Sequence, residues 1–284
     1  DGPADPFPEP AEALDQTGIS YEVWDVATEG RTPNTNEMRA FRVVLWRIND
    51  SFFSDTTLDT PQQNALQAYL NGGGSLCIAS MELLSRINGG STPTSAFMTN
   101  VLQIQNFAED VTVPSVNGIL QDPITAGMSI NLDYSIYPSF EWADLGPDVS
   151  DTITPTTNAA PIFLDGASGK IAGLRFPRTG QDSTGRVVFL SFPLDAISMT
   201  DTAPNNRVNL LRNILSFLAP GVNGIATIAL DGTAYTLPSK VTVEVADSDF
   251  AGQGALPVRM YSTTAPEGTP LTLHETSRSG LFRG

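Results

Sequence analysis

The sequence predicts an α/β first domain, a three-layer sandwich around a mostly parallel sheet, followed by a smaller all-β sandwich portion. Three observations carry this prediction. Through residues 1–220, strand-like apolar runs alternate with capped helical segments, the pattern of parallel crossovers. From residue 221 the texture changes to short alternating strands separated by turn residues at roughly 8–12-residue spacing, as in antiparallel sandwiches. The charge divides at the same place: residues 1–220 hold 25 acids against 11 bases, and 221–284 hold 6 against 4. Two domains, 1–220 and 221–284, follow.

Each element has a local reason. Residues 1–10 are acidic and proline-rich and predict an exposed lead-in, and Glu12 to Gln16 a helix end. Ile19 to Trp24 alternates apolar and polar residues like a half-buried strand, whereas Phe41 to Trp46 is nearly continuous, like a strand covered on both faces; Thr28 to Asn36 is the loop between them. Thr60-Pro61 opens a helix, with Thr as cap and Pro in the first turn; Leu66, Tyr69 and Leu70 share one face, and Gly72-Gly73-Gly74 is the stop. Ser75 to Ser80 is the next strand, completing a strand–helix–strand unit of about 40 residues, long enough for a right-handed crossover. From Asn88 to Pro161 no period is sustained, which predicts loops with short strands. Lys170 to Phe176 and Arg186 to Phe192 are two strands joined by a glycine-containing turn. A second helix starts at Thr202 or Asn205, carries the stripe Val208, Leu211, Ile214, Leu215 and Leu218, and ends at Pro220-Gly221. Ile225–Leu230, Thr233–Leu237, Val241–Val245, Val258–Tyr261 and Leu271–His274 are the strands of the second domain.

Composition excludes several function classes. Hydrophobic residues make up 40% and charged residues 16%, and no run approaches the roughly 18 apolar residues of a membrane span. A net charge of -16 repels phosphate backbones and anionic membranes, so neither nucleic acid nor membrane insertion is expected. The lone cysteine, Cys77, forms no internal disulfide, and His274 is the lone histidine. Two lysines beside 21 Pro and 24 Gly point to an extracellular or cell-surface protein, and an opening at Asp1 without a leader points to a processed chain or fragment.

The series Ala13-Leu14-Asp15, Tyr21 to Val26, Val43 to Trp46, Leu66 to Leu76 and Arg186 to Phe192 resembles the class I glutamine amidotransferase-like (flavodoxin-like) domains appended to large secreted bacterial proteins, including some secreted peptidases. The resemblance covers about residues 11–220. In those domains a first strand precedes the segment matched by Asp1-Gly2, so it implies that the chain was cut there or that another segment supplies the strand. Val241 to Asp249 and Leu271 to Gly284 resemble the first strands of an immunoglobulin-like repeat of bacterial surface proteins, which implies an incomplete immunoglobulin-like unit. Open sheet edges and unclosed cores invite association. The expected partners are other chains or further segments of the same polypeptide, including a homopolymer that builds a fibre or surface layer.

The resemblance also fixes what catalysis would need. An amidotransferase uses a Cys nucleophile on a sharp turn after a strand, with a His base and an orienting carboxylate. Cys77 lies inside a strand and is read as a buried structural thiol; the first domain has no His; and Ser191 to Asp195, where such enzymes carry theirs, offers only Asp195. The expected function is a non-catalytic structural or interaction module, with a hydrolase near Ser80 as the alternative. Ser80 stands at a strand's carboxyl end, where open α/β sheets bind ligands, but lacks the flanking glycines of a nucleophile elbow, which favours a helix cap. Gly72-Gly73-Gly74 follows a helix and precedes a strand, the reverse of a phosphate-binding order. The pairs Glu141 with Asp144 and Asp148 with Asp151 can be drawn as glycosidase carboxylates, but among 31 acids such pairs arise by chance and a solvated loop is the favoured reading. His274 beside Glu275 is read as a surface or core residue. Asp247 and Asp249, two apart after a strand, are the candidate metal ligands, for calcium; a turn with Asp side chains bonding nearby amides is the competing reading.

Overall fold

The computed structural model describes residues 11–50, 57–87, 94–137, 147–179, 185–219, 226–232, 234–247, 250–276 and 280–284. Three short helices, α1 (Ala11–Asp15), α2 (Val26–Glu29) and α3 (Thr35–Met38), lead to strand β1 (Val43–Arg47), helix α4 (Thr60–Asn71), β2 (Ser75–Ala79) and α5 (Leu83–Ile87). A run of strands follows: β3 (Ile104–Ala108), β4 (Ser115–Gly118), β5 (Ser129–Asn131), β6 (Thr152–Pro155), β7 (Ala160–Asp165), β8 (Ile171–Phe176) and β9 (Val187–Leu190), then helix α6 (Arg207–Leu218). The remainder is β10 (Ala226–Leu230), β11 (Val243–Asp247), β12 (Ala255–Ser262), β13 (Ala265–Glu275) and β14 (Leu281–Arg283).

The expected strand–helix–strand unit is present. Asp59 caps α4: its side chain accepts from the Gln62 amide at 2.8 Å, while Gln62 accepts from the Asp59 amide at 2.9 Å. The cap therefore lies one residue before the expected Thr60. Successive residues of β2 point to opposite faces, which explains its unbroken apolar run. Leu76 and Ile78 meet Leu66, Tyr69 and Leu70 of α4, whereas Cys77 meets Leu210, Ile214 and Phe217 of α6. Asn206, not Thr202 or Asn205, caps α6 by accepting from the Asn209 amide at 2.9 Å.

The expectation of a three-layer α/β sandwich with a mostly parallel sheet is overturned. The larger sheet has nine strands, seven of them in the order β1-β2-β9-β8-β7-β4-β5, with β6 joining β3 to β8. Among the described residues only β1 with β2 and β2 with β9 run parallel; the other pairings are antiparallel, so the sheet is mixed and strands dominate the fold. The reason lies in the stretch read as loops. It supplies β3 to β6 and the start of β7, strands of three to six residues whose pairings slip in register between Ile104 and Asn106 and between Pro161 and Leu164. Such short, bulged strands leave no sustained period to detect. A tight turn joins β7 to β8, with the Asp165 side chain accepting from the Ala167 and Ser168 amides and Gly169 at φ +71°. Ile19 to Trp24, expected as a strand, forms none; Val23 is 60% exposed.

The second portion is likewise not a two-sheet immunoglobulin-like sandwich. It is one five-stranded antiparallel sheet, order β10-β11-β14-β13-β12. The short strands expected at Val258–Tyr261 and Leu271–His274 are parts of one long hairpin, β12–β13, and β14 inserts between β11 and β13. The segment after β10, expected as a strand, carries none among its described residues 234–237.

One side chain ties the two sheets together. Arg186, immediately before β9, is fully buried; its Nη1 donates to the Phe217 carbonyl at 3.0 Å and its Nη2 to Glu244 Oε1 of β11 at 3.1 Å. The guanidinium lies 4.7 Å from the centre of the Phe217 ring, and Arg283 of β14 donates to Glu244 Oε2 at 3.1 Å. Burial pulls the Arg186 pKa down, and the Glu244 carboxylate opposes it. Removing Glu244 strands a buried cation, so Glu244→Ala should lower stability by about 3 kcal/mol or more, with Glu244→Gln losing less. Denaturant unfolding of the three proteins tests this; equal midpoints would show that the ion pair does not hold the sheets together.

Candidate functional site

The carboxyl ends of β1, β2 and β9 lie side by side, and the residues that leave them converge. Asp50 follows β1, Ser80 follows β2, and Asp195 lies on the segment after β9. Ser80 is 1% exposed and Asp50 2%. The Ser80 hydroxyl donates to Asp50 Oδ1 at 2.5 Å and accepts from the Leu83 and Glu82 amides at 3.0 and 3.2 Å, which fixes the turn that leads into α5. The Glu82 amide also donates to Asp50 Oδ1, at 3.3 Å. Burial lifts the Asp50 carboxyl from 3.8 to about 7, although the Ser80 hydrogen bond and nearby amides favour its charged form.

Beside this pair, Asp195 is held by two guanidinium groups. Arg47 reaches its Oδ2 from Nε at 3.3 Å and Nη2 at 3.2 Å, and Arg207 reaches Oδ1 at 3.3 Å. Arg207 is anchored further by the Asp195 carbonyl at 2.7 Å and the Ile197 carbonyl at 3.1 Å. Tyr137 completes the wall; burial, then the neighbouring Asp50 and Asp195, push its phenol pKa upward. The space among Arg47, Asp50, Tyr137 and Asp195 is about 40 Å³. It accommodates water, which needs only about 10–15 Å³ on this kind of measure, but falls well below the several hundred Å³ of an ordinary ligand pocket.

Sequence reasoning singled out Ser80 and Asp195 but missed Asp50, Arg47 and Arg207. An acid just past a continuous apolar strand was the available sign for Asp50. Cys77 lies within β2, 2% exposed, and burial alone lifts its thiol to about 12, so it is inert. Asp148 organises a turn, accepting from the Val113 amide at 2.6 Å and the Ser150 amide at 3.0 Å. Asp151 is 2% exposed; its Oδ1 accepts from the Asp110 amide at 3.2 Å and its Oδ2 has no partner. Burial, together with Asp110, Glu82 and Glu109, drives its carboxyl well above the ordinary range. The two acids thus play different structural parts, while Glu141 and Asp144 lie outside the described residues. His274 is exposed on β13. The neighbouring Glu275 binds loop amides, accepting from Gly252 and Gly280 at 2.8 Å and Gly254 at 3.0 Å.

Of the candidate calcium ligands, Asp247 ends β11 with its amide donating to the Gly280 carbonyl at 2.7 Å, and Asp249 lies outside the described residues. Among the described residues no group of three His, Cys, Asp or Glu side chains is arranged to hold a metal ion. Nor is any described helix long and apolar enough to cross a membrane.

No protein-family model matches the chain, and no curated protein matches it. Among solved structures it is similar to the mmIFT52 N-terminal domain, at 11% identity and a TM-score of 0.42, over 66% of this chain and 80% of that one. A likeness of that size carries no argument about function.

Asp50 gives the site a pH signature. Its folded-state carboxyl holds a proton up to about pH 7 while an unfolded one releases it near 3.8, so between those values the folded chain binds more protons. Its contribution to stability therefore falls as pH rises through that window and levels off above it. Asp50→Asn keeps an acceptor for Ser80 and removes the titration. Melting temperatures measured from pH 4 to 8 should decline less steeply in the variant; parallel curves would show that Asp50 does not titrate there.

Proposed function

We propose that the chain is a non-catalytic structural or interaction module of a large secreted or cell-surface bacterial protein. The observation that carries this reading is the internal commitment of the polar groups where an open α/β sheet would place its chemistry. Ser80 spends its oxygen on α5 and its proton on Asp50, and Asp195 is neutralised by Arg47 and Arg207. The adjoining space, about 40 Å³, is too small for a substrate. The scarcity of lysine and the abundance of Pro and Gly support the extracellular placement, which protease treatment of intact cells would test by whether the chain is cleaved. Association with other chains, up to a fibre or surface layer, fits exposed sheet edges such as β12, where Met260 and Tyr261 are 42% and 64% exposed.

A second reading, a hydrolase using Ser80, is favoured by one observation: the short Ser80–Asp50 hydrogen bond joins a hydroxyl to a carboxyl near 7, the arrangement of a nucleophile and its base. Against it stands the burial of both groups. A screen with chromogenic esters, amides and glycosides separates the two. On the first reading, wild type and Ser80→Ala are equally inactive, and the variant melts lower because the Asp50 carboxyl and the Glu82 and Leu83 amides lose a buried partner worth about 1 kcal/mol or more. Turnover that disappears in Ser80→Ala would establish the hydrolase.

A further inference from the structure

The opposite end of the parallel strands has the reverse electrostatic character. Residues 31–47 carry four arginines and a single acid, Glu37, in a chain of net charge -16. Two of the four are neutralised: Arg31 pairs with Glu37 at 2.6 Å, and Arg47 with Asp195 at 3.2 Å. Arg39 and Arg42 are exposed, and neither side chain forms an ion pair or hydrogen bond with a described residue. Both line a groove of about 300 Å³ at the amino ends of β1 and β2.

The groove is built rather than incidental. Arg39 closes α3, whose first turn is fixed by a reciprocal cap between Asn34 and Glu37. The Arg42 carbonyl accepts from the Ser75 amide at 3.0 Å, which pins Arg42 at the start of β1. Between them Phe41, 41% exposed, has its carbonyl held by the Tyr69 hydroxyl at 3.0 Å. The floor is glycine backbone. A side chain on Gly74 would strike the Tyr69 ring at 2.2 Å, so that position of the floor needs glycine. The far wall is Leu218 and Ala219, at the carboxyl end of α6, where helix carbonyls carry partial negative charge.

We propose that this groove docks an acidic, extended segment of a partner protein, with carboxylates on Arg39 and Arg42 and an apolar side chain against Phe41. Guanidinium forks bind carboxylates in pairs, and an unneutralised pair in so acidic a chain is the surface on which another acidic chain can land. A peptide brings an apolar side chain for the exposed Phe41 beside its carboxylates, which inorganic phosphate does not. The proposal rests on the interaction-module reading and names its partner chemistry.

Fluorescence anisotropy with a labelled peptide of alternating glutamate and leucine tests it, against a lysine–leucine peptide of equal length and inorganic phosphate as competitor. The whole chain should bind the glutamate peptide saturably at low salt, and Arg39→Ala with Arg42→Ala should weaken binding about tenfold or more. Both side chains are exposed, so the variant should melt as wild type does. Equal affinity in wild type and variant, no binding by wild type, or equal binding of the lysine peptide would overturn the proposal. Displacement by millimolar phosphate would make the groove a phosphate site instead. Self-association of wild type that the double variant abolishes would make the occupant a second copy. Loss of peptide binding without hydrolysis defeats only this inference, whereas Ser80-dependent hydrolysis defeats only the non-catalytic reading.

Discussion

Burying a guanidinium constrains everything around it, because arginine does not give up its proton at any pH a protein survives. Arg186 is hydrogen-bonded through its backbone to β2, with its amide on Ser75 Oγ and its carbonyl accepting from Leu76. Its side chain then crosses the end of α6 to reach β11. Three elements from distant parts of the sequence must therefore arrive in one geometry for the charge to be matched. The second sheet is seated by this demand as much as by its own apolar cluster of Val243, Val245, Leu256, Leu273 and Phe282. Glu244 is shared with Arg283, so the register between β11 and β14 answers to the same charge.

The two ends of the parallel strands divide the molecule's electrostatics. At the carboxyl end the charged and polar groups bond within the fold: Asp195 is held by both Arg47 and Arg207, and Asp50 by Ser80 and the Glu82 amide. At the amino end Arg39 and Arg42 are exposed above a glycine floor, with no ion-pair partner among the described residues. A sheet that hosted chemistry would invert this, keeping its matched charges away from the carboxyl ends and its free ones there. The distribution of satisfied and unsatisfied charge, more than the fold, is what the proposed reading rests on.

The sequence made α4, α6 and the parallel corner legible because those segments carry strong local signals, Pro61 and the glycine stop around α4, the stripe along α6 and the unbroken apolar run of β2, whereas α2 and α3 fall in or beside a stretch read as a loop. It did not make the sheet's character legible. Strands β4 and β5 are four and three residues long; β5 pairs with β4, and β4 in turn with β7 far along the chain, a pairing that no local pattern encodes. Ile19 to Trp24 shows the converse error, since alternation alone does not make a strand without a partner to pair with. At the candidate site, Ser80 was visible by its place after a strand. The partnership of Asp50 with Ser80 joins residues 30 apart, and the Arg47–Asp195 pair spans 148, so neither pairing is written in a local pattern.

Cys77 sits at the middle of β2, facing Leu45 of β1 on one side and Val188 of β9 on the other. Its thiol ionises only near 12 and is covered by α6, so a thiol-directed reagent has no route to it while the corner stays shut. Fraying of a terminus or loop does not expose it; separation of α6 from the sheet does. As the chain's one cysteine, it makes the rate of alkylation a clock for opening of the innermost layer, reading out the rare excursions of the core without any added label.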